Sequence, residues 1–419
     1  MIDTTTIPAA IKRRYSPSTI QEQTQKEHQF LSMVKKRTDL VGQPFRSFLL
    51  YGSTVGGSAN YTNAQTNAGA PANSYFDLPP TKLYSLPLID NLTMELTGND
   101  MGAFMSALKL GFEGAMTEVG RALSIQCWGD GTGTRGIVGV VTGTTQITLT
   151  DQNANVNFDN GEILVFAQNL NGYTALRASG QTATITSIVR ETGILNFSGG
   201  LPSGVAVGDL IGRQGDLPNG LFLNNGSGTT AGSVFCGVGG FCPQARPAGT
   251  DSFGGTNRSL DTWRLGGGFV NGAGQNAIDR VHLAVTFARQ QNAKPDFYWC
   301  NEIEYDEIQR SIQGKTEYET VEAFDMPQIA FESIVIRSGG RKIRVMCDNS
   351  IPSNAAFLLQ MDTWTLWSAG GAAARVLNYQ NYGAGYIPYY NADALQIRLG
   401  GYPLLECTAP GRNVRVQTR

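Results

Sequence analysis

A helical pattern that runs without a break over residues 99–127 is the feature that most constrains how this chain can fold. Asn99 can cap its start, and Asp100 favours the positive end of the helix dipole. At 1.5 Å per residue, the predicted helix is on the order of 40 Å long. Its apolar residues recur at spacings of three and four: Met101, Phe104, Met105, Leu108, Phe112, Met116, Val119, Leu123 and Cys127. Any fold for this chain must accommodate such a helix.

Glycines follow this helix in the stretch CWGDGTGTRGIVG, where Gly131, Gly133 and Gly136 have the G-x-G-x-x-G spacing of dinucleotide-binding loops. Such a loop needs a strand before the glycines and a helix after them, so that the helix N-terminus meets the phosphate. Here the helix comes first, and its negative C-terminal end would repel a phosphate. We therefore exclude a nucleotide site and predict a helix stop and a hinge at Gly129, Gly131, Gly133 and Gly136.

Short strands are predicted after the hinge, in residues 138–216. The segments TQITLT, GEILVFA, TATITSIV, GILNFSG and VGDLIGRQGD recur at intervals of about ten residues. Turn signals such as NFDNG separate them, and this spacing is typical of an all-β unit. We predict a small all-β barrel inserted into the chain, with its two ends close together.

The flap, as we call residues 45–90, has an unusual composition. Arg46 and Asp77 are the only charged residues in the 36 positions of 45–80. The sequence begins as a strand, FRSFLLYG, passes through a tip of Gly, Asn, Ala and Ser, and returns through SYFDLPP. A two-stranded ribbon is marginal in water by itself. We therefore expect the flap to lack a core of its own and to lie on a neighbouring copy of the chain.

The overall composition is consistent with a surface that other chains cover. Charged residues make up 16% of the chain, against roughly 25% in ordinary soluble domains. The 32 basic and 34 acidic residues nearly cancel, so net charge favours neither nucleic acid nor a membrane as a partner. We expect no signal peptide and no membrane-spanning run. The six cysteines are expected to be reduced thiols, and only Cys236 and Cys242 are close enough in sequence to suggest a disulfide or a metal site.

No catalytic constellation is found in the sequence. The chain has two histidines, His28 and His282, and no G-x-S-x-G, so a Ser-His-Asp or Cys-His system is hard to assemble. GKT at 314–316 is an incomplete P-loop because position 309 is Gln309. The acidic cluster of residues 302–307 begins a predicted helix, where the dipole favours negative charge, and we prefer this interpretation to a cation site. We expect no enzyme activity, no cofactor and no metal.

Taken in order, these features resemble the major capsid protein of tailed bacteriophages, which has the Hong Kong 97-type shell fold. AAIKRRYSPSTIQEQTQKEHQFLSMV resembles the family's N-terminal arm, and FRSFLLYG to LPPTKLY resembles its extended loop. GNDMGAFMSALKLGFEGAMTEVGRALSIQCWGDGTGTRGIVG resembles its spine helix and glycine turn. NFDNGEILVF to VGDLIGRQGD resembles the β domain that some members insert there. NAKPDFYWCNEIEYDEIQRSI and GGYPLLECTAPGRNVRVQ resemble axial and peripheral segments.

The resemblance implies an α+β, Hong Kong 97-like capsid fold with an N-terminal arm, an extended β-hairpin loop, a long spine helix, axial and peripheral domains, and an inserted small all-β barrel. The connection after the barrel is rich in glycine and is expected to have little core of its own. The expected divisions are 1–44 for the arm, 45–90 for the extended loop, 91–137 for the spine helix and part of the peripheral domain, 138–216 for the barrel, 217–280 for the glycine-rich connection, and 281–419 for the axial domain and the rest of the peripheral domain.

The resemblance also implies a structural role, which is self-assembly as pentamers and hexamers into an icosahedral shell that encloses double-stranded DNA. The protein would be part of the virion capsid and would be made in the cytoplasm of a host bacterium. Its expected partners are other copies of itself, a separate scaffolding protein, a portal, a decoration protein and packaged DNA, with no membrane. The hinge glycines would absorb the backbone differences between rings of five and six. Residues 45–80 contain no lysine, so the isopeptide cross-links that some members form through a loop lysine are not expected.

Two sets of residues are candidates for these contacts. The large apolar side chains of the flap are candidate contacts between subunits: Phe45, Phe48, Leu50, Tyr51, Tyr61, Tyr75, Phe76 and Leu78. Two basic clusters are candidate contacts to DNA phosphates: Lys12, Arg13, Arg14, Lys35, Lys36 and Arg37. The alternative function is a phage decoration protein, or a receptor- or carbohydrate-binding β protein that acts through the barrel. A sugar-binding barrel would need an exposed aromatic cluster, and the aromatic residues of 138–216 are few: Phe158, Phe166, Tyr173 and Phe197.

Overall fold

The chain divides into two compact units, each built from three segments. The first unit takes Met1–Val41, Thr81–Ser124 and Leu366–Pro403, and the second takes Gly42–Pro80, Ile125–Thr365 and Leu404–Arg419. Each unit therefore joins segments that are remote in the sequence. The computed structural model describes residues 28–42, 44–90, 101–169, 173–217, 220–221, 234–249, 251–311, 318–322, 330–371, 373, 375–377, 386–388 and 392–419.

Strands outnumber helices in the described residues. The helices are α1 Gln29–Met33, α2 Tyr61–Thr66, α3 Met101–Trp128, α4 Val238–Phe241, α5 Ala277–Gln290 and α6 Glu302–Ser311. The strands are β1 Lys35–Arg37, β2 Phe45–Leu50, β3 Asn73–Leu78, β4 Leu83–Ser85, β5 Leu88–Asp90, β6 Gly136–Thr142, β7 Gln146–Leu149, β8 Ile163–Asn169, β9 Tyr173–Leu176, β10 Ala183–Val189, β11 Ile194–Ser198, β12 Leu210–Arg213, β13 Gly220–Leu221, β14 Ser252–Phe253, β15 Thr256–Asn257, β16 Gly268–Asn271, β17 Phe297–Cys300, β18 Tyr318–Glu322, β19 Ala330–Ser338, β20 Arg341–Cys347, β21 Ala355–Leu359, β22 Trp364–Ser368, β23 Arg375–Val376, β24 Tyr386–Pro388, β25 Ala394–Ile397, β26 Leu399–Gly401, β27 Pro403–Cys407 and β28 Val414–Gln417.

The first unit contains two small antiparallel sheets. In one, β26 pairs with both β4 and β23, and in the other β25 pairs with both β5 and β24. A side-chain hydrogen bond adds to this connection, since Thr81 Oγ1 donates to Pro403 O at 3.1 Å. Both sheets join strands that lie about three hundred positions apart in the chain. Such pairings cannot be predicted from a local pattern.

The long predicted helix is confirmed as α3, which has 28 residues. Residues 91–100, which include the predicted cap, lie outside the described residues. Near the C-terminal end of α3 the polar residues Ser124 and Gln126 are buried together with Cys127. The helix is therefore enclosed there on more than its apolar face. In the part of the chain that the structure describes, no helix is long and apolar enough to span a membrane.

The strands that follow the glycines pair into a closed ring, as the predicted all-β barrel requires. The order is β10–β11–β7–β6–β12–β8, and β8 pairs back with β10 through Leu164 and Ala183, which closes the ring. Alternate side chains point inward and fill the interior, as expected for a small barrel. The interior residues are Val138, Ile147, Leu149, Phe158, Leu164, Phe166, Ala183, Ile185, Leu195, Phe197 and Ile211.

A seven-stranded mixed sheet forms the α+β part of the second unit, in the order β16–β28–β21–β17–β20–β19–β18. The pairs β16–β28 and β17–β20 are parallel, and the other pairs are antiparallel. Helix α5 buries Val281, Ala284 and Val285 in a core that also contains Ile308 of α6. The apolar residues of α5 recur at three- and four-residue spacing, so the helix has one face that can cover the sheet.

The acidic cluster at the start of α6 is used in ion pairs. Glu304 is buried and accepts a hydrogen bond from Arg280 of α5. Burial raises the pKa of Glu304 to about 7, although the nearby Arg280 opposes this shift. Glu307 lies 3.1 Å from Arg280 Nη1 and 2.7 Å from Arg419 Nη2. Arginine side chains therefore pair with these carboxylates, and among the described residues no group of three or more His, Cys, Asp or Glu could hold a metal ion.

One segment of the predicted glycine-rich connection, which has little core of its own, is buried against the rest of the second unit. Every residue from Val234 to Cys242 is buried. At Gly237, an added Cβ would lie 2.2 Å from Gln126 O and 2.3 Å from Cys127 O. The main chain can approach the end of α3 this closely only because glycine has no side chain. The glycines here permit packing of backbone against backbone.

Candidate subunit interface

The predicted flap contains a β-hairpin formed by β2 and β3, in a register that pairs Phe45 with Leu78 and Leu50 with Asn73. Side chains alternate between the two sides of each strand. The inner face, as we call the buried side, consists of Ser47, Leu49, Phe76 and Leu78. The outer face, as we call the other side, consists of Arg46, Phe48, Leu50, Tyr75 and Asp77.

The inner face packs on aromatic side chains of its own unit. Phe76 is 0% exposed, and its ring centroid lies 5.0 Å from that of Phe253 and 6.0 Å from that of Phe241. Phe241 in turn lies 5.6 Å from the ring of Trp364 in an edge-to-face arrangement. Edge-to-face aromatic pairs add stabilisation beyond the apolar area that they bury. This aromatic cluster anchors the hairpin.

Polar contacts fix the inner face as well. Ser47 Oγ donates to Glu406 Oε1 at 2.6 Å, and both side chains are buried. The backbone N–H of Asp77 donates to Gly254 O at 2.8 Å. The expectation that the flap lacks a core in its own chain is therefore wrong for this side of the hairpin. The physical reason is that these partners lie hundreds of residues away in the sequence.

The outer face carries the two charges of the flap, and they are paired. Arg46 Nε and Nη2 donate to the two carboxylate oxygens of Asp77 at 2.8 and 2.9 Å. The hydrogen bond to Asp77 raises the pKa of Arg46. The Arg46 guanidinium also lies 4.0 Å from the ring centroid of Tyr75, in cation–π geometry. The two charges neutralise each other, so the outer face presents no net charge to a partner.

Large apolar side chains of the outer face and the tip are exposed in the single chain. Phe48 is 65% exposed and Leu50 is 64% exposed. Beyond the strands, Val55 and Tyr61 are 67% and 79% exposed. Single exposed apolar residues are common, whereas a contiguous exposed apolar patch marks a surface that binds a partner. The outer face and tip are therefore the candidate interface.

The tip of the flap contains a short helix, α2, that the sequence analysis did not predict. Asn60 caps it, because its side-chain oxygen accepts hydrogen bonds from the backbone N–H groups of Thr62 and Asn63 at 2.9 and 3.3 Å. An asparagine before a polar run is a usual N-cap signal. The prediction for the tip used only its composition, which is rich in Gly and Asn, and therefore missed the helix.

The predicted contact residues separate into surface and core positions. Those at the surface are Phe48, Leu50, Tyr61 and Tyr75. Phe45 and Tyr51 are half-buried. Phe76 and Leu78 are core residues of the second unit, which corrects their assignment as subunit contacts. Alternation along β3 is the reason, because a residue next to an outward-facing tyrosine must point inward. The prediction did not include Val55 among the contact residues, because its neighbours in the tip are small or polar.

Removing the anchor of the inner face is expected to destabilise the subunit. Phe76→Ala should lower the free energy of unfolding by about 3–5 kcal/mol, because it empties a fully buried aromatic site. Tyr75→Ala is the control, since its side chain lies on the outer face of the same strand, and it should cost less than about 1 kcal/mol. Urea unfolding of the unassembled subunit measures both. Equal losses for the two variants would contradict the assignment of faces.

Gly129, Gly131 and Gly133 lie between the end of α3 and the start of β6, and Gly136 is the first residue of β6, so the order is helix, glycines, strand. This order confirms the prediction that opposed a nucleotide loop. Gly131 and Gly133 have φ values of 91° and 76°, which favour glycine. An added Cβ on Gly133 would lie 2.4 Å from Asp216 O. Gly129 follows α3 directly, and Gly136 begins β6. Movement at these glycines stays a prediction.

The basic residues predicted to contact DNA are described only in part. Lys12, Arg13 and Arg14 lie outside the described residues. Lys35, Lys36 and Arg37 form the exposed strand β1. Because side chains alternate along a strand, Lys36 points to the side opposite the other two. The Arg37 guanidinium lies 5.1 Å from the ring centroid of Trp367. DNA contact by these residues stays a prediction.

We compared the sequence and the structure of the chain with those of known proteins. No protein-family model and no curated protein match the sequence. Among solved structures, the chain is similar to the capsid asymmetric unit of cyanophage A-1(L), with a TM-score of 0.51 and 11% identity over 93% of this chain and 92% of that one. The chain therefore shares the fold of a phage capsid protein, which confirms the capsid fold in outline, and its division into an arm and axial and peripheral domains stays a prediction.

Other solved structures resemble the chain more distantly. One is the capsid of a native GTA particle, with a TM-score of 0.40 and 10% identity over 94% of this chain and 90% of that one. Another is the holo-SrpI encapsulin complex from Synechococcus elongatus PCC 7942, with a TM-score of 0.41 and 10% identity over 100% of this chain and 95% of that one.

Proposed function

We propose, from its phage capsid fold, that this chain is a major capsid protein that forms pentamers and hexamers and assembles with them into an icosahedral shell around double-stranded DNA. The observation that carries the proposal is the hairpin whose inner face is covered by its own chain and whose outer face leaves large apolar side chains exposed. In the proposed shell the outer face lies on an adjacent subunit. The location would be the virion capsid, after synthesis in the cytoplasm of a host bacterium.

The physical basis of assembly would be the burial of the outer face and tip. Covering a large apolar side chain stabilises a contact by about 1.5–3 kcal/mol. Phe48 and Leu50 are each more than half exposed, so both can contribute. Part of this gain is offset by the loss of translational and rotational freedom on association. The same contact repeats at every subunit of a closed shell, and the contributions therefore accumulate.

The proposed role is structural. Partners beyond the chain itself, which are a scaffolding protein, a portal, a decoration protein and packaged DNA, belong to the same proposal. Adaptation of one chain to rings of five and six would use the glycines from Gly129 to Gly136. His282 has a structural partner, since its Nδ1 lies 2.9 Å from Ser338 Oγ.

The barrel gives little support to the alternative of a carbohydrate-binding protein. Sugar binding by a β barrel would need aromatic rings at its surface. Phe158, Phe166 and Phe197 instead fill the barrel interior and are 0%, 0% and 4% exposed. The described outer surface of the barrel has aliphatic exposed residues, among them Val140 and Val207. The structural role therefore remains the better-supported function.

Electron microscopy of the purified chain tests the proposal. The protein would be expressed alone and also together with a candidate scaffolding protein, and negatively stained samples would be examined over a range of concentrations. Shells, rings or tubes are the expected result in at least one of the two preparations. A monodisperse monomer in both preparations, at the highest soluble concentration, would contradict a shell-forming function.

A further inference from the structure

Two cysteines face each other on neighbouring strands of the seven-stranded sheet. The parallel register of β17 and β20 pairs Trp299 with Met346 and Cys300 with Cys347. Neighbouring strands lie about 4.8 Å apart, and disulfides are found where the two Cα atoms are about 4.4–6.8 Å apart. The register therefore places these cysteines within the range of a disulfide.

Both thiols lie on the same side of the sheet. Tyr298 and Cys300 alternate with Trp299 along β17, and Tyr298 and Cys300 belong to the core beneath α5 and α6. On β20, Val345 belongs to the same core, and it lies two positions before Cys347. Since side chains two positions apart share a face, Cys347 is on the face that Cys300 occupies.

The Cys300 thiol is directed toward the neighbouring strand. Its Sγ–H donates to Met346 O at 3.6 Å, which is the carbonyl that precedes Cys347. The backbone N–H of Asp348 donates to Cys300 O at 3.0 Å and fixes the register at the end of the pair. The register therefore holds the two cysteines side by side on adjacent strands.

The two cysteines differ in access to solvent. All six cysteines are free, and Cys347 is the one that is not fully buried. Cys300 is 0% exposed. A small oxidant can therefore reach Cys347 first, and Cys300 is positioned to react second. The Cys236–Cys242 pair, which is closer in sequence, is different because both thiols are buried.

We propose that Cys300 and Cys347 are a thiol pair that a low-molecular-weight disulfide oxidises to an intrachain disulfide. The Cys347 thiolate attacks one sulfur of the oxidant, forms a mixed disulfide and releases one thiolate. The Cys300 thiolate then attacks Cys347 Sγ, forms the Cys300–Cys347 bond and releases the second thiolate. The two protein thiols lose two protons and two electrons, and the oxidant is reduced to two thiols. This inference does not depend on the proposed function.

The rate of this reaction depends on pH. Burial raises the pKa of Cys347 to about 12 and the pKa of Cys300 well above its usual value. Only the thiolate attacks a disulfide, so the reaction is slow near neutral pH. Each unit of pH increase should raise the thiolate fraction, and with it the initial rate, roughly tenfold below the pKa.

Peptide mapping of the full chain tests the proposal. The native protein is incubated with oxidised glutathione at pH 7.5 and 8.5, alkylated, digested without reductant and examined by mass spectrometry. We expect one cross-linked peptide that joins residues 300 and 347, with a loss of two hydrogens, and faster formation at pH 8.5. Reduction with dithiothreitol should abolish it.

Variants keep the test specific. Cys347→Ser and Cys300→Ser should each eliminate the cross-link, and Cys236→Ser should leave it unchanged. The peptide map of the wild-type protein tests the proposal even if a variant fails to fold. Absence of the 300–347 link after a day at pH 8.5, or a link between other cysteines in its place, would overturn the proposal.

Discussion

Replacing Phe48 and Leu50 together by aspartate is expected to abolish shell assembly and to leave the isolated subunit folded. Both side chains lie on the outer face, where they are 65% and 64% exposed in the single chain. About two-thirds of each side chain remains to be covered by a neighbouring subunit, so their loss removes about 2–4 kcal/mol per contact. Each 1.4 kcal/mol changes an equilibrium constant about tenfold, so each contact weakens by roughly one to three orders of magnitude. An unpaired carboxylate under a covering subunit adds a further penalty.

Leu260 provides a matched control for this experiment. It is also a leucine, it is 65% exposed, and it lies outside the flap on the short 3-10 helix Arg258–Leu260. Leu50→Asp should prevent assembly in electron micrographs and sedimentation, whereas Leu260→Asp should assemble as the parent chain does. Thermal unfolding of the unassembled variants checks that both remain folded. Normal shells from the Phe48→Asp, Leu50→Asp variant would show that the outer face is not the interface.

Gly237→Ala is expected to destabilise the folded protein strongly. An added Cβ would lie 2.2 Å from Gln126 O and 2.3 Å from Cys127 O, and both atoms belong to the backbone of α3. A backbone carbonyl cannot rotate away as a side chain can, so α3 or the Val234–Cys242 segment would have to move. Overpacking of a core usually costs about 1–3 kcal/mol, and occasionally more. We expect a loss of at least about 3 kcal/mol in the free energy of unfolding.

Gly57 is the control for the glycine experiment. It lies in the flap tip, it has no atom within 4 Å of an added Cβ, and its φ is not positive. Gly57→Ala should leave the urea midpoint unchanged or raise it slightly, because alanine restricts the unfolded chain. A small, similar effect of both substitutions would show that the approach at Gly237 is not tight.

The local sequence pattern predicted those helices and strands that depend mainly on residues close together in the sequence. The three- and four-residue spacing of apolar side chains predicted α3, and short alternating segments predicted the barrel strands. The sequence likewise predicted the order of helix, glycines and strand around Gly131. This order excluded a nucleotide-binding loop. The order of all segments together indicated the capsid fold, which the comparison with cyanophage A-1(L) confirms.

The sequence pattern did not predict which residues of the folded chain cover each side of an element. Phe76 and Tyr75 are adjacent aromatic residues, and the sequence analysis assigned both to the subunit contact. Alternation shows that they face opposite sides, but only the ring of Phe253, far along the chain, shows which side is inside. The same limit applies to the buried segment Val234–Cys242, whose glycines suggested a poor core.

The sequence alone therefore determined the long helix, the barrel strands, the order of the segments and the fold class that this order resembles. The tertiary structure alone decided that Phe76 is an anchor and Phe48 an exposed contact, that Gly237 is a close approach, and that Cys300 faces Cys347. The physical reason is that periodicity in a sequence reports which side of an element is apolar. What covers that side depends on residues brought together from remote parts of the chain, as Ser47 and Glu406 are.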